Sequence, residues 1–71
     1  MIEVFKTNVC NEEDAERLLL LMKARWPLFC INFDLEDCDK ILRVKGDNLC
    51  AEELINVLAA QGFECAVLMD V

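Results

Sequence analysis

The sequence predicts one α+β domain whose elements follow the order βαββαβ. Short β-like runs alternate with two helical segments, and turn-forming residues separate them. Proline and glycine mark the ends of the two helical segments. Hydrophobic residues at 56% beside charged residues at 30% are typical of a globular chain. A length of 71 residues suits a single domain, which we assign to residues 1–71.

Four strands are predicted from short runs of apolar and β-branched residues. They lie near residues 2–7, 28–35, 40–45 and 63–68. The second and third runs flank an acidic turn and are most simply an antiparallel hairpin. In the last run Cys65 and Val67 share one face, and Ala66 and Leu68 share the other. That alternation suits a strand covered on one side by helices.

Two helices are predicted, near residues 12–25 and 51–61. Asn11 is a typical N-cap for the first helix, and Asp14 can reach back from its third position. This helix must end before Pro27, because a proline ring disfavours the helical conformation in the preceding residue. Gly62 ends the second helix in the usual way for a glycine in a left-handed C′ conformation.

The order of these elements defines the expected architecture. Two interleaved right-handed βαβ crossovers give a four-stranded antiparallel sheet with both helices on one face, a ferredoxin-like sandwich.

The charge and the cysteine content limit the classes of partner and the compartment. A net charge of −7 repels phosphate backbones and anionic lipids, so we expect neither a nucleic acid nor a membrane as a partner. The longest uninterrupted apolar run, Leu18–Met22, is too short to span a bilayer, and no export signal is present. Five cysteines without tight paired spacing indicate free thiols, and hence a cytoplasmic location.

Three stretches match the pattern of a known family. Ile31–Glu36 alternates apolar residues before Asp-Leu-Glu, Cys50–Leu54 matches the start of a second helix, and Gln61–Leu68 places Gly-Phe before the last strand. In this order and spacing the chain resembles the heavy-metal-associated domains, which occur as free copper chaperones and as N-terminal modules of metal-pumping ATPases. The resemblance covers nearly the whole chain and implies the same βαββαβ fold.

The metal-binding motif of that family is replaced in this chain. The motif Gly-Met-x-Cys-x-x-Cys should fall at Asn8–Asp14, which places Asn11 and Asp14 at the two ligand positions. If the alignment shifts by one residue, Cys10 becomes the first ligand and Glu13 the second. Either alignment supplies at most one thiolate, whereas soft Cu(I) prefers two. The sequence contains no histidine that could replace the missing ligand.

The remaining candidate residues are more simply structural. Cys10 precedes a helix N-terminus that favours a thiolate, while the neighbouring acids oppose one, so it is either a weak metal-ligand candidate or an inert exposed thiol. Cys30 and Cys65 are interpreted as packing residues within strands. Cys38 is expected to be exposed in the acidic turn 36–39, whose carboxylates lack the spacing of a calcium loop.

These observations predict a non-catalytic protein-interaction module that has lost the Cys-x-x-Cys metal site. The chain lacks histidine, serine, tyrosine and a glycine-rich phosphate loop, so we expect no enzymatic activity and no cofactor. Leu20 and Leu21 widen the apolar stripe of the first helix, which favours an interface with another protein. We expect a monomer or a weak homodimer. The alternative is a copper-binding or copper-transport protein that uses Cys10, with one ion shared between two chains.

Overall fold

The computed structural model describes residues 1–68 and has six elements in the predicted order. The strands are β1 (Ile2–Thr7), β2 (Cys30–Asp34), β3 (Ile41–Lys45) and β4 (Cys65–Val67), and the helices are α1 (Glu12–Arg25) and α2 (Ala51–Ala60). The predicted fold class is therefore confirmed. The largest differences are at the start of two strands, because β2 begins at Cys30 rather than near residue 28 and β4 begins at Cys65 rather than near residue 63.

The sheet has the strand order β2-β3-β1-β4, and every neighbouring pair is antiparallel. Phe5 lies opposite Leu42 on one side and opposite Val67 on the other, and Leu42 in turn lies opposite Phe33. Because residues directly opposite each other share a face, these four side chains form one row across the sheet. The helices cover that face, with α1 against β2 and α2 against β4.

The core lies between the sheet and the two helices. Its largest fully buried side chains are Phe5, Leu18, Met22, Leu42, Leu54, Leu58, Val9 and Val44. In α1 the buried residues Ala15, Leu18 and Met22 recur at the spacing of a single helical face, as the sequence predicts. In α2 the buried residues are Leu54 and Leu58, one turn apart.

The first helix is capped as predicted. Asn11 has an extended backbone, and its side-chain oxygen accepts a 2.8 Å hydrogen bond from the backbone N–H of Asp14. The side-chain amide of Asn11 also donates to the Asp14 carboxylate at 3.0 Å, so the return contact reaches the side chain of the cap rather than its backbone. The helix ends at Arg25, with Trp26 as C-cap directly before Pro27.

Two glycines occur at positions with different requirements. Gly62 follows the second helix with φ +89, a conformation that favours glycine, and there is open space around its Cα. A side chain at Gly46 would instead overlap the ring of Phe29. That ring stacks on Trp26 with a centroid distance of 5.9 Å, so the space beside Gly46 is occupied by an ordered aromatic pair.

Candidate functional site

The loop between β1 and α1, where the resemblance would place a metal-binding motif, is hydrogen-bonded to Glu64 just before β4. The backbone N–H of Asn8 donates to the carbonyl oxygen of Glu64 at 3.3 Å. In return the backbone N–H of Glu64 donates to the side-chain oxygen of Asn8 at 2.8 Å. Asn8 therefore continues the pairing of the two strands beyond Thr7 and fixes the position of the loop.

Thr7 fastens the same loop to the turn between β2 and β3. Its hydroxyl donates to the carbonyl oxygen of Lys40 at 2.6 Å and accepts a hydrogen bond from the backbone N–H of Val9 at 3.2 Å. Its own backbone N–H donates to the carbonyl oxygen of Asp39 at 3.1 Å. Thr7 is buried, and Val9 is fully buried. The loop is therefore anchored within the chain.

The two residues at the predicted ligand positions bond to each other. Asn11 caps α1 through Asp14, and the Asp14 carboxylate also lies 3.3 Å from the guanidinium of Arg17. Cys10 precedes this pair and is exposed. Within residues 1–68 it belongs to no group of three metal-ligating side chains. The structure thus brings one thiol, one amide and one carboxylate to this loop, a poor donor set for Cu(I).

A different group of potential ligands lies in the turn before β3. Asp37, Cys38 and Asp39 offer ligand atoms within 4.8 Å of one another. The carboxylate of Asp37 accepts a 2.9 Å hydrogen bond from the backbone N–H of Asp39, and that of Asp39 lies 3.9 Å from the ammonium of Lys6. These contacts stabilise the turn, and the lysine ammonium neutralises part of its negative charge. Cys38 is exposed, as predicted.

The two strand cysteines differ in their surroundings. Cys65 packs against the core, as predicted, and burial raises the pKa of its thiol from 9.0 to about 11. A thiol with so high a pKa is protonated near neutral pH and is a poor metal ligand. The packing interpretation of Cys30 is wrong, because this residue is exposed opposite Lys45. It alternates with Ile31, whose side chain takes the core face of β2.

A groove of about 500 Å³ runs between α1 and β2. We call it the α1–β2 groove, and it is lined by Glu12, Ala15, Glu16, Leu19, Asn32, Phe33, Asp34, Leu35 and Glu36. Sequence reasoning did not find it, although each wall has a visible signal. The α1 residues recur at helical spacing, and Phe33-Asp34-Leu35-Glu36 alternates apolar and acidic residues. Their apposition is a property of the fold, which neither pattern reveals alone.

Several large apolar side chains are exposed near α1. Leu20 is 73% exposed and Leu21 39%, in agreement with the widened apolar stripe in the sequence. Leu28, in the connection to β2, is 92% exposed. Met1 and Ile2 are also exposed, at the end of the sheet where β1 begins. The described residues therefore present more apolar surface around α1 than the packing of the core requires.

Comparison of the chain with models of known families, with curated proteins and with solved structures gave no match in any of the three. The resemblance to heavy-metal-associated domains therefore stays a prediction made from the residues. Over residues 1–68, neither helix combines the length and the apolar character needed to cross a membrane.

Proposed function

We propose that the chain is a non-catalytic, cytoplasmic protein-interaction module of the heavy-metal-associated type that no longer holds a metal. The observation that carries the proposal is the exposure of Leu20, Leu21 and Leu28 on and after α1. Large apolar side chains left exposed on a helix and in the segment after it are available to bind another protein. Their exposure has no evident role in the packing of the domain itself.

The state of the loop supports the loss of metal binding. Asn11 and Asp14 stand where the resemblance would place two thiolates, and their polar atoms are engaged in capping α1. Withdrawal of either residue for coordination would break the cap. The loop therefore serves to start the helix.

The second candidate function is copper binding through Cys10. It is favoured by one observation, the exposure of this thiol directly before the N-terminus of α1. Two chains would each supply one thiolate to a shared Cu(I), because two-coordinate sulfur is the environment that this soft ion prefers.

A Cu(I) titration of the reduced protein against a competing chelator separates the two functions. We expect no tight complex with one ion per chain. Cys10→Ser is the informative variant, and Cys50→Ser is its matched control, since Cys50 is likewise exposed at the start of a helix. Tight binding of one ion per two chains, abolished by Cys10→Ser and retained by Cys50→Ser, would establish the copper function.

Selection of a random peptide library on the folded chain tests the interaction function directly. We expect an enriched family of peptides that bind the purified chain saturably in calorimetry and equally well after Cys10→Ser. The absence of any enriched family, together with tight Cu(I) binding, would contradict the proposal.

A further inference from the structure

We infer that the α1–β2 groove binds an extended peptide that alternates basic and apolar side chains and adds to β2 as a further strand of the sheet. The inference rests on the proposed function and names the chemistry of its partner.

The sheet has an open edge beside the groove. β2 is the outermost strand and, within residues 1–68, pairs with β3 alone. Every second residue of an edge strand directs its N–H and C=O groups away from the sheet, where another extended chain can pair with them. The opposite edge is the three-residue strand β4, which offers a shorter template. Asn32–Asp34 of β2 and the two residues that follow the strand, Leu35 and Glu36, line the groove along this edge.

The groove has an apolar lining opposite that edge. β1 and β2 are both antiparallel to β3, so α1, which connects them, runs back antiparallel to β2. Leu19 from the helix and Phe33 and Leu35 from the strand side are only partly buried. Because side chains of an added strand alternate in direction, every second one would enter this lining. A further recess continues along α1 past Leu20 to Lys23.

The rim of the α1–β2 groove is negatively charged. All four charged residues that line the groove are acidic, namely Glu12, Glu16, Asp34 and Glu36. Asp34 lies 3.8 Å from Arg43, and the other three form no ion pair within the described residues. Because the apolar side chains of an added strand enter the lining beside α1, the basic ones between them point to the opposite face of the sheet, where Asp34 lies by its alternation with Phe33 and where Glu36 continues the same alternation. A second copy of the same chain is disfavoured as the occupant, because its net charge of −7 would be repelled by the acidic rim.

The length of β2 sets the length of the ligand. Residues of a strand are about 3.3 Å apart, so the five-residue strand β2 offers pairing groups to an extended ligand of about five or six residues.

The probe is a fluorescently labelled peptide of about six residues that alternates lysine with valine, whose binding is followed by anisotropy and by amide chemical shifts. We expect saturable binding, with the largest shifts in Asn32–Glu36 and in the first half of α1. The same peptide with glutamate in place of lysine should not bind. Shifts confined to other parts of the chain would overturn the inference.

Charge reversal in the groove tests the role of the rim. Asp34→Lys combined with Glu36→Lys should weaken binding of the lysine–valine peptide about tenfold. The matched control combines Glu52→Lys with Glu53→Lys, which makes the same change in net charge on exposed residues of the first turn of α2. Equal weakening by the two pairs would mean that only overall charge attracts the peptide, and the groove would be excluded.

Backbone methylation of the peptide tests strand addition. Two versions carry N-methyl groups on alternate sets of residues, and only the set that faces β2 should abolish binding. Equal binding of the two versions would overturn strand addition.

The library selection described above separates this inference from the proposed function. Selected peptides that are basic and apolar and compete with the probe support both. Selected peptides that bind the chain but leave the groove unperturbed would overturn the groove assignment alone, and the interaction function would stand.

Discussion

The two helices begin by different means. α1 follows an asparagine whose side chain bonds to the third helical residue, whereas α2 follows Cys50, whose side chain makes no capping hydrogen bond. The first turns of both helices are acidic and so complement the helix dipole, with three acidic residues in α1 and two in α2. The difference therefore lies in the residues around the cap.

Burial takes the place of a polar cap at α2. Leu49 precedes Cys50, and Leu54 is the fourth residue of the helix, which are the two positions of a hydrophobic staple. Both leucines are buried in the same core cluster. The corresponding positions of α1 hold the exposed Cys10 and the small Ala15. The start of α1 is therefore fixed by local hydrogen bonds, whereas the start of α2 is fixed by the contribution of its leucines to the core.

Leu54→Ala should have the largest effect, because it removes the fully buried helical member of the staple at α2. Deletion of a fully buried leucine side chain costs about 2–5 kcal/mol of unfolding free energy. Urea unfolding followed by circular dichroism measures the loss. Leu20→Ala, on the exposed face of α1, is the control and should change stability by less than about 0.5 kcal/mol. Similar losses in both variants would show that α2 does not depend on burial at this position.

Thr7→Val should be next, because it removes the hydroxyl that joins the loop before α1 to the turn before β3. The partly buried carbonyl of Lys40 and the buried N–H of Val9 would lose their partner, at a cost of about 1–3 kcal/mol. The same unfolding measurement applies. Thr7→Ser keeps the hydroxyl and should recover part of the loss, and its failure to do so would point to packing of the methyl group instead.

Asn11→Ala should remove the cap of α1 and cost about 1 kcal/mol without any change in metal content. Asn11→Asp, which retains a capping oxygen, should remain near the parent stability. Metal analysis of the purified protein is the second readout. Stoichiometric metal that disappears in Asn11→Ala would identify this residue as a ligand and contradict the capping role.

Cys50→Asn should have the smallest effect and the opposite sign. Asparagine at this N-cap position can accept from the backbone of the first turn, and we expect a gain of about 0.5–1 kcal/mol. Cys10→Ser, at the position before a helix that is already capped, should leave stability unchanged. A gain of the same size in both variants would attribute the effect to loss of an exposed thiol rather than to capping.

Local signals in the sequence predicted the fold well. Asn11, Pro27 and Gly62 each act on the backbone within a few residues, so their effects can be read without knowledge of the remaining chain. Local signals do not show which face of a strand is buried. Cys30 alternates with the buried Ile31, but alternation does not say which face the helices cover, and the interpretation of Cys30 as a packing residue is therefore wrong.

Some features of the candidate site likewise follow from the sequence, and others do not. The absence of a thiolate pair around Cys10 follows from the sequence itself. The mutual bonding of Asn11 and Asp14 follows from their spacing. The α1–β2 groove does not follow from the sequence, because Glu12 and Glu36 come to line one groove only after α1 packs on the edge strand. The contact between Asn8 and Glu64, just before β4, joins residues that are 56 apart in the chain, and no sequence pattern predicts it either.

The two glycines set two kinds of limit on how this sequence can vary. At position 46 the limit depends on a neighbour, because the ring of Phe29 fills the space and a smaller residue at position 29 would release it. At position 62 the limit depends on the backbone alone, and no change elsewhere relieves it while φ stays positive. A second-site suppressor is therefore attainable for a substitution of Gly46, whereas Gly62 tolerates only residues, such as asparagine, that adopt the left-handed conformation themselves.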